Sequence, residues 1–95
     1  MKYELVFSEL SEADAAEAIA YYDLISPDLG DRFLSELLEL YGQLEIHPQF
    51  FSFIIPGKQI RDVQLPSFPY LVVYEIIDTK VYVIAVRNRF RKPMF

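Results

Sequence analysis

Pro48 divides this chain into two kinds of pattern, and few small folds accommodate both. Before it, Phe33, Leu37, Leu40, Tyr41 and Leu44 recur at helical spacing; after it, apolar residues alternate or run in β-branched and aromatic blocks. Proline ends a helix because it has no N–H to donate and its ring collides with the preceding turn. The helix that stops at Pro48 has an equally clear start at Ser26-Pro27, a serine cap followed by a proline at the first helical position, where no N–H is needed. A first helix is expected over residues 9–24, capped by Ser8, with Glu9, Glu12 and Asp14 early, where the helix dipole favours negative charge. Its Ala13, Ala16 and Ala20 form a small-residue stripe that should let another element approach closely. The link between the two helices is short, so they should form an antiparallel hairpin. Ahead of them, residues 3–7 alternate, with Tyr3, Leu5 and Phe7 on one side, as a short strand does.

Beyond Pro48 the reading is β throughout. Residues 51–55 form an expected short strand ended by Pro56-Gly57, residues 60–65 a second, and Pro66 and Pro69 bracket a loop. Residues 70–77 and 80–86 are separated only by Asp78-Thr79, which predicts a hairpin. Leu71-Val72-Val73-Tyr74 is apolar on both faces, as a central strand covered by helices would be. The expected fold class is therefore α+β, in the order β-α-α-β-β-β-β, with a mainly antiparallel four-strand segment after the helices. All 95 residues should make one domain.

Composition narrows the function. Cysteine is absent, so disulfides, thiolate metal sites and cysteine nucleophiles drop out, and a reducing cytoplasm is the expected location. No apolar run approaches the ~20 residues that a membrane span needs. The net charge of -5 hides an asymmetry: residues 1–57 carry 11 acidic against 2 basic residues, whereas residues 58–95 carry 7 basic against 3 acidic. A protein working chiefly on phosphates would spread basic residues over a broad face, so this balance argues against a stand-alone nucleic-acid binder.

Few residues offer chemistry. The one histidine, His47, precedes Pro48 at the expected end of the second helix, where it caps rather than catalyses. With no second histidine there is no triad, and the 3 glycines make no phosphate-cradling loop. Glu36 and Glu39 belong to a hydrated helix face, not a metal site, and no cofactor is expected. Arg61 has two readings, a surface arginine paired with Asp62 or a helix glutamate, and a functional cation. Tyr70 and Tyr74 read either as amphipathic strand residues or as partner-binding ones. The tail, with Arg87, Asn88, Arg89, Phe90 and Arg91, is either a solvated end or a docking segment, since arginine with aromatic residues is enriched in interface hot spots.

The order of an arginine in a strand (Arg61), Phe68-Pro69-Tyr70 leading into Leu71-Val72-Val73-Tyr74, a second strand, and the tail Arg87-Asn88-Arg89-Phe90-Arg91-Lys92-Pro93 resembles the RelE/ParE superfamily of bacterial toxins. Tyr21-Tyr22 and the segment Ser26-Pro27-Asp28-Leu29-Gly30-Asp31-Arg32-Phe33-Leu34 extend the resemblance over nearly the whole chain. In the ribosome-dependent nucleases of the superfamily a histidine-arginine pair begins the central strand, so that a guanidinium can stabilise developing phosphorane charge. Pro69-Tyr70 stands there in this chain, and a phenol supplies no fixed positive charge at neutral pH. Where many members end the last strand with histidine, this chain has Asn88, which cannot move protons, although Arg91 and Pro93 keep matching places.

These departures resemble the ParE-like, plasmid-stabilisation branch. The resemblance implies a type II toxin held by a cognate antitoxin, with a helix against the helical hairpin and an extended piece along the sheet. It further implies DNA gyrase as target, through stabilisation of a gyrase–DNA cleavage state that needs no catalytic residue in the toxin. Partner-binding residues would be Arg61, Tyr70, Tyr74, Arg87, Asn88, Arg89, Phe90 and Arg91. The alternatives are a messenger-RNA endonuclease using Arg61, Arg87, Arg89 and Arg91 on phosphate, and a degenerate member that binds an antitoxin but harms nothing.

Overall fold

The structure is a computed structural model and describes residues 2–51, 57 and 59–90. Strand β1 (Glu4–Phe7) leads into helix α1 (Glu9–Ile25), helix α2 (Pro27–Ile46) and a short 3-10 turn (Pro48–Phe50). Strands β2 (Ile60–Gln64), β3 (Tyr70–Ile77) and β4 (Lys80–Asn88) follow. They form one sheet in the order β1-β4-β3-β2, with β1 parallel to β4 and the other pairs antiparallel. The α+β class and the helical hairpin agree with the sequence reading. The strand expected over 51–55 and the tail residues Arg91, Lys92 and Pro93 lie outside the described residues.

Single residues make the corners. Ser26 ends α1, its N–H bonding the Tyr22 carbonyl at 2.9 Å, and starts α2, its hydroxyl accepting from the Leu29 N–H at 3.3 Å. The helices pass so closely there that a Cβ built on Gly30 would lie 1.7 Å from Asp23 Oδ1. His47 closes α2 with its N–H on the Gln43 carbonyl, 2.8 Å, as its place before Pro48 suggested. Asp78 makes the β3–β4 turn with φ 54°, a left-handed conformation that aspartate tolerates better than most residues.

The core lies between one sheet face and the hairpin. Phe33, Leu37, Leu40 and Leu44 of α2 meet Tyr70, Val72 and Tyr74 of β3 and Val81, Val83 and Val86 of β4. Helix α1 differs from the expectation: Ala13, Ala16 and Ala20 face outward, while Ser11, Ala15, Ala18, Ile19 and Tyr22 turn inward. An alanine-rich helix has small residues on both sides, so its periodicity cannot choose the buried face. Anchors choose it instead. Ser8 caps α1 by accepting from the Ser11 N–H at 3.0 Å and also donates its hydroxyl to the Ile84 carbonyl at 2.7 Å.

That Ser8 contact falls at an irregularity. Val73 pairs with Ala85 but Tyr74 with Val83, so Ile84 is an extra residue in β4. β1 stops pairing at Val83, leaving the outer edge of β4 open beyond it. Side chains from the start of α1 then take over: Ser8 binds the Ile84 carbonyl, and Asp14 Oδ2 accepts from the Val86 N–H at 3.0 Å. Both groups would otherwise be a template for another strand.

Candidate functional site

Strand register sorts the candidate residues by face, because alternate side chains point to opposite sides of a sheet. Tyr70, Val72 and Tyr74 face the helices, so Leu71, Val73 and Glu75 face away. Arg61 pairs with Tyr74 and shares the helix side; Arg87 pairs with Leu71 and lies on the other. The two arginines are thus on opposite faces.

Arg61 and Tyr74 act together at the corner after α2. The buried Tyr74 hydroxyl donates to the Pro48 carbonyl at 2.6 Å. The Arg61 guanidinium donates through Nη1 to the Gln49 carbonyl at 3.2 Å and to the Phe51 carbonyl. Three carbonyls of the turn are therefore held by one cross-strand pair. Burial pushes the Tyr74 phenol up to about 12, with Arg61 pulling it back and Asp62 adding to the rise. Burial also raises the Asp62 carboxyl.

Tyr70 is 7% exposed and belongs to an aromatic knot. Its ring lies 5.1 Å from Phe33 and 6.1 Å from Tyr22, while Phe68 packs 4.8 Å from Tyr22 and 5.1 Å from Phe33. Burial, and then the neighbouring Tyr70 and Tyr21, raise the Tyr22 phenol. The Phe68-Pro69-Tyr70 segment is pinned by its backbone, with the Tyr70 N–H on the Phe68 carbonyl and the Arg89 N–H on the Pro69 carbonyl, each 2.8 Å.

Asn88, opposite Tyr70 in register, shapes the end of β4: its Oδ1 accepts from the Phe90 N–H at 2.9 Å. Arg89 donates to Gln64 Oε1 at 2.8 Å and lies 5.0 Å from the centre of the Phe90 ring, which is 75% exposed. Arg91 lies outside the described residues. Among the described residues no group of three or more His, Asp or Glu side chains is placed to hold a metal ion, and no helix is long and apolar enough to cross a membrane.

Sequence reasoning missed the outward apolar residues. Leu24, at 88% exposure, stands with Tyr21, Ile25 and Leu10 on the outside of α1, and Leu34 and Leu38 are exposed on α2. At the other end of the hairpin Ile46 and Phe50 are exposed beside His47. The signal was available in helical phase: once Ser11, Ala18 and Tyr22 define the buried line of α1, Leu24 falls well off it. Asp14 was noted only for the helix dipole, and nothing local announces a bond to a residue 72 positions away.

The comparisons agree with this geometry. The sequence model for the ParE toxin of type II toxin-antitoxin systems, parDE, matches residues 5–93. A solved structure, the chromosomal ParDE toxin-antitoxin system from P. aeruginosa, superimposes with a TM-score of 0.77 at 15% identity. The match covers 92% of this chain and 96% of that one, and at such identity it speaks for the fold. No curated protein matches. A family model that spans all but the ends of the chain, on a fold shared with a solved ParDE structure, places it: the chain belongs to the ParE toxin family of type II toxin-antitoxin systems.

Proposed function

We propose that this toxin acts in the cytoplasm by binding other proteins, with a cognate antitoxin as its inhibitor and DNA gyrase as its target. The observation that carries the reading is the division of labour between polar and apolar side chains. Arg61 and Arg87 lie on opposite faces of the sheet, so they do not converge on one phosphate. Arg61 and Tyr74 are engaged with the carbonyls of the turn after α2, and Asn88 with the Phe90 N–H. The residues offered to a partner are instead apolar, from Leu24 and Tyr21 on α1 to Phe50 and Phe90. Aromatic and aliphatic anchors of this kind dominate protein interfaces.

The test uses two parallel reactions. The purified chain is incubated with gyrase and relaxed plasmid, and separately added to a translation reaction whose message is then read for breaks. Accumulated gyrase–DNA cleavage complexes with intact message are expected. Message cut at the ribosomal A site with gyrase unaffected would reverse the assignment in favour of the endonuclease. Growth arrest on expression without the neighbouring gene is expected, and its absence would identify a member that no longer harms the cell.

A further inference from the structure

The outer side of α1 combines two properties. It has no lysine or arginine, and it carries Glu9, Glu12, Asp14, Glu17 and Asp23. Among these carboxylates stand exposed apolar side chains, Leu10, Tyr21, Leu24 and Ile25. Along one flank runs a groove, with Glu17, Ala20, Tyr21 and Leu24 of α1 on one wall and Pro69 and Tyr70 on the other. The groove continues toward the start of the helix past Asp14 and Asn88. Its walls are preformed, because Tyr22 and Tyr70 sit in the aromatic knot and the Pro69 carbonyl is bonded to the Arg89 N–H.

Two arguments define the occupant. An extended segment would need backbone groups of a strand edge, and here Ser8 and Asp14 already occupy the Ile84 carbonyl and the Val86 N–H. A helix, whose own backbone is satisfied internally, binds through side chains and does not have this need. An acidic or neutral helix would gain nothing from Glu17 and the flanking carboxylates, and like charges laid together cost affinity. We propose that the groove beside α1 takes an amphipathic helix of the antitoxin, apolar along one stripe and lysine- or arginine-rich along the flank that meets Glu17. This rests on the antitoxin reading above and goes beyond it by assigning the partner's charge at this face, basic against an acidic toxin.

The probe is a designed peptide helix with leucines at helical spacing and lysines on one flank, beside a twin in which glutamates replace the lysines. Each carries a fluorophore and is titrated with the purified chain at low and high salt, read by anisotropy. The lysine peptide should bind and weaken as salt rises, and the glutamate twin should not bind. Leu24→Ser and Glu17→Lys should each weaken the lysine peptide by about tenfold or more. Glu39→Lys on α2, which changes net charge equally, should leave it unchanged. Equal binding of the twins, an unaffected Leu24→Ser, or equal losses for Glu17→Lys and Glu39→Lys would overturn the proposal. All three positions are exposed, and matched melting curves establish that the variants fold. The parent reading is tested separately by co-purification with the product of the adjacent reading frame. A complex that forms and ignores Leu24→Ser and Glu17→Lys defeats the groove alone, whereas failure to form any complex defeats the antitoxin reading and leaves the peptide titration to judge the groove.

Discussion

The corner held by Arg61 and Tyr74 and the outer side of α1 are opposites. At the corner, polar side chains that could have served chemistry are turned onto the backbone: a phenol on the Pro48 carbonyl, a guanidinium on the Gln49 and Phe51 carbonyls. On α1, apolar side chains that could have filled a core point into solvent, Leu24 foremost. An arginine and a tyrosine in strands look functional and a leucine in a helix looks structural, yet the geometry assigns them the other way round. What decides is engagement. A buried polar group must find partners or cost stability, whereas an exposed leucine is tolerated and becomes useful when something covers it.

The comparison breaks first if Tyr74 is dispensable. Tyr74→Ala removes a fully buried ring and the hydroxyl that satisfies Pro48, and large aromatic-to-alanine changes in cores cost ~3–5 kcal/mol. Denaturant melts of the variant should show that loss, enough to unfold most of a domain this small at physiological temperature. A variant as stable as the parent would mean that the corner is not held as described.

Alkaline pH probes the same residue without mutation. Burial raises both Tyr41 and Tyr74 to about 12, above the ordinary tyrosine value near 10. A group whose folded-state value is raised binds its proton more tightly in the folded protein, so stability is fully present below pH ~10 and is lost as pH rises towards ~12. The denaturation midpoint should fall across that window, and Tyr74→Phe, which has no proton to lose, should flatten the fall. An unchanged slope in Tyr74→Phe would remove this phenol from the buried set.

Asp14 tests the edge of β4. Asp14→Ala leaves the Val86 N–H without its carboxylate partner, at a cost of ~1–3 kcal/mol if the group stays shielded from water. Hydrogen exchange at Val86 should quicken more than at Val72, whose strand is paired on both sides. Equal exchange at the two amides in the variant would show that something other than Asp14 protects the edge.

Much of this was legible beforehand, for identifiable reasons. Ser26-Pro27 and Pro48 bound α2 because capping and proline chemistry are local, and 70–77 was recognised as a strand over its whole length. His47 was recognised as a cap for the same reason. The facing of α1 was not legible, because alanines occupy both sides of it and its phase is set by Ser8 and Asp14 reaching Ile84 and Val86, more than 70 positions away. Nor was the placement of Arg61 and Arg87 on opposite faces legible from residue types; it follows from pairing register, which a sequence pattern does not specify until partners are known. The second strand after the helices, 60–65 by pattern, ends at Gln64, and Leu65 instead packs fully into the core.

Leu24 supplies the smallest stability effect and the sharpest contrast with Tyr74. At 88% exposure it has almost no burial to lose, so Leu24→Ser should change stability by no more than ~0.5 kcal/mol, the usual range for surface positions. The same substitution should nevertheless weaken neutralisation, because an exposed leucine beside Tyr21 contributes only when a partner covers it. Co-expression with the antitoxin reads this directly: cells carrying the variant toxin should need more antitoxin to grow, with the melting temperature of the free toxin unchanged. If Leu24→Ser lowered the melting temperature markedly, the residue would belong to the fold, and the division between an engaged polar corner and an apolar face held ready for a partner would fail at its most exposed point.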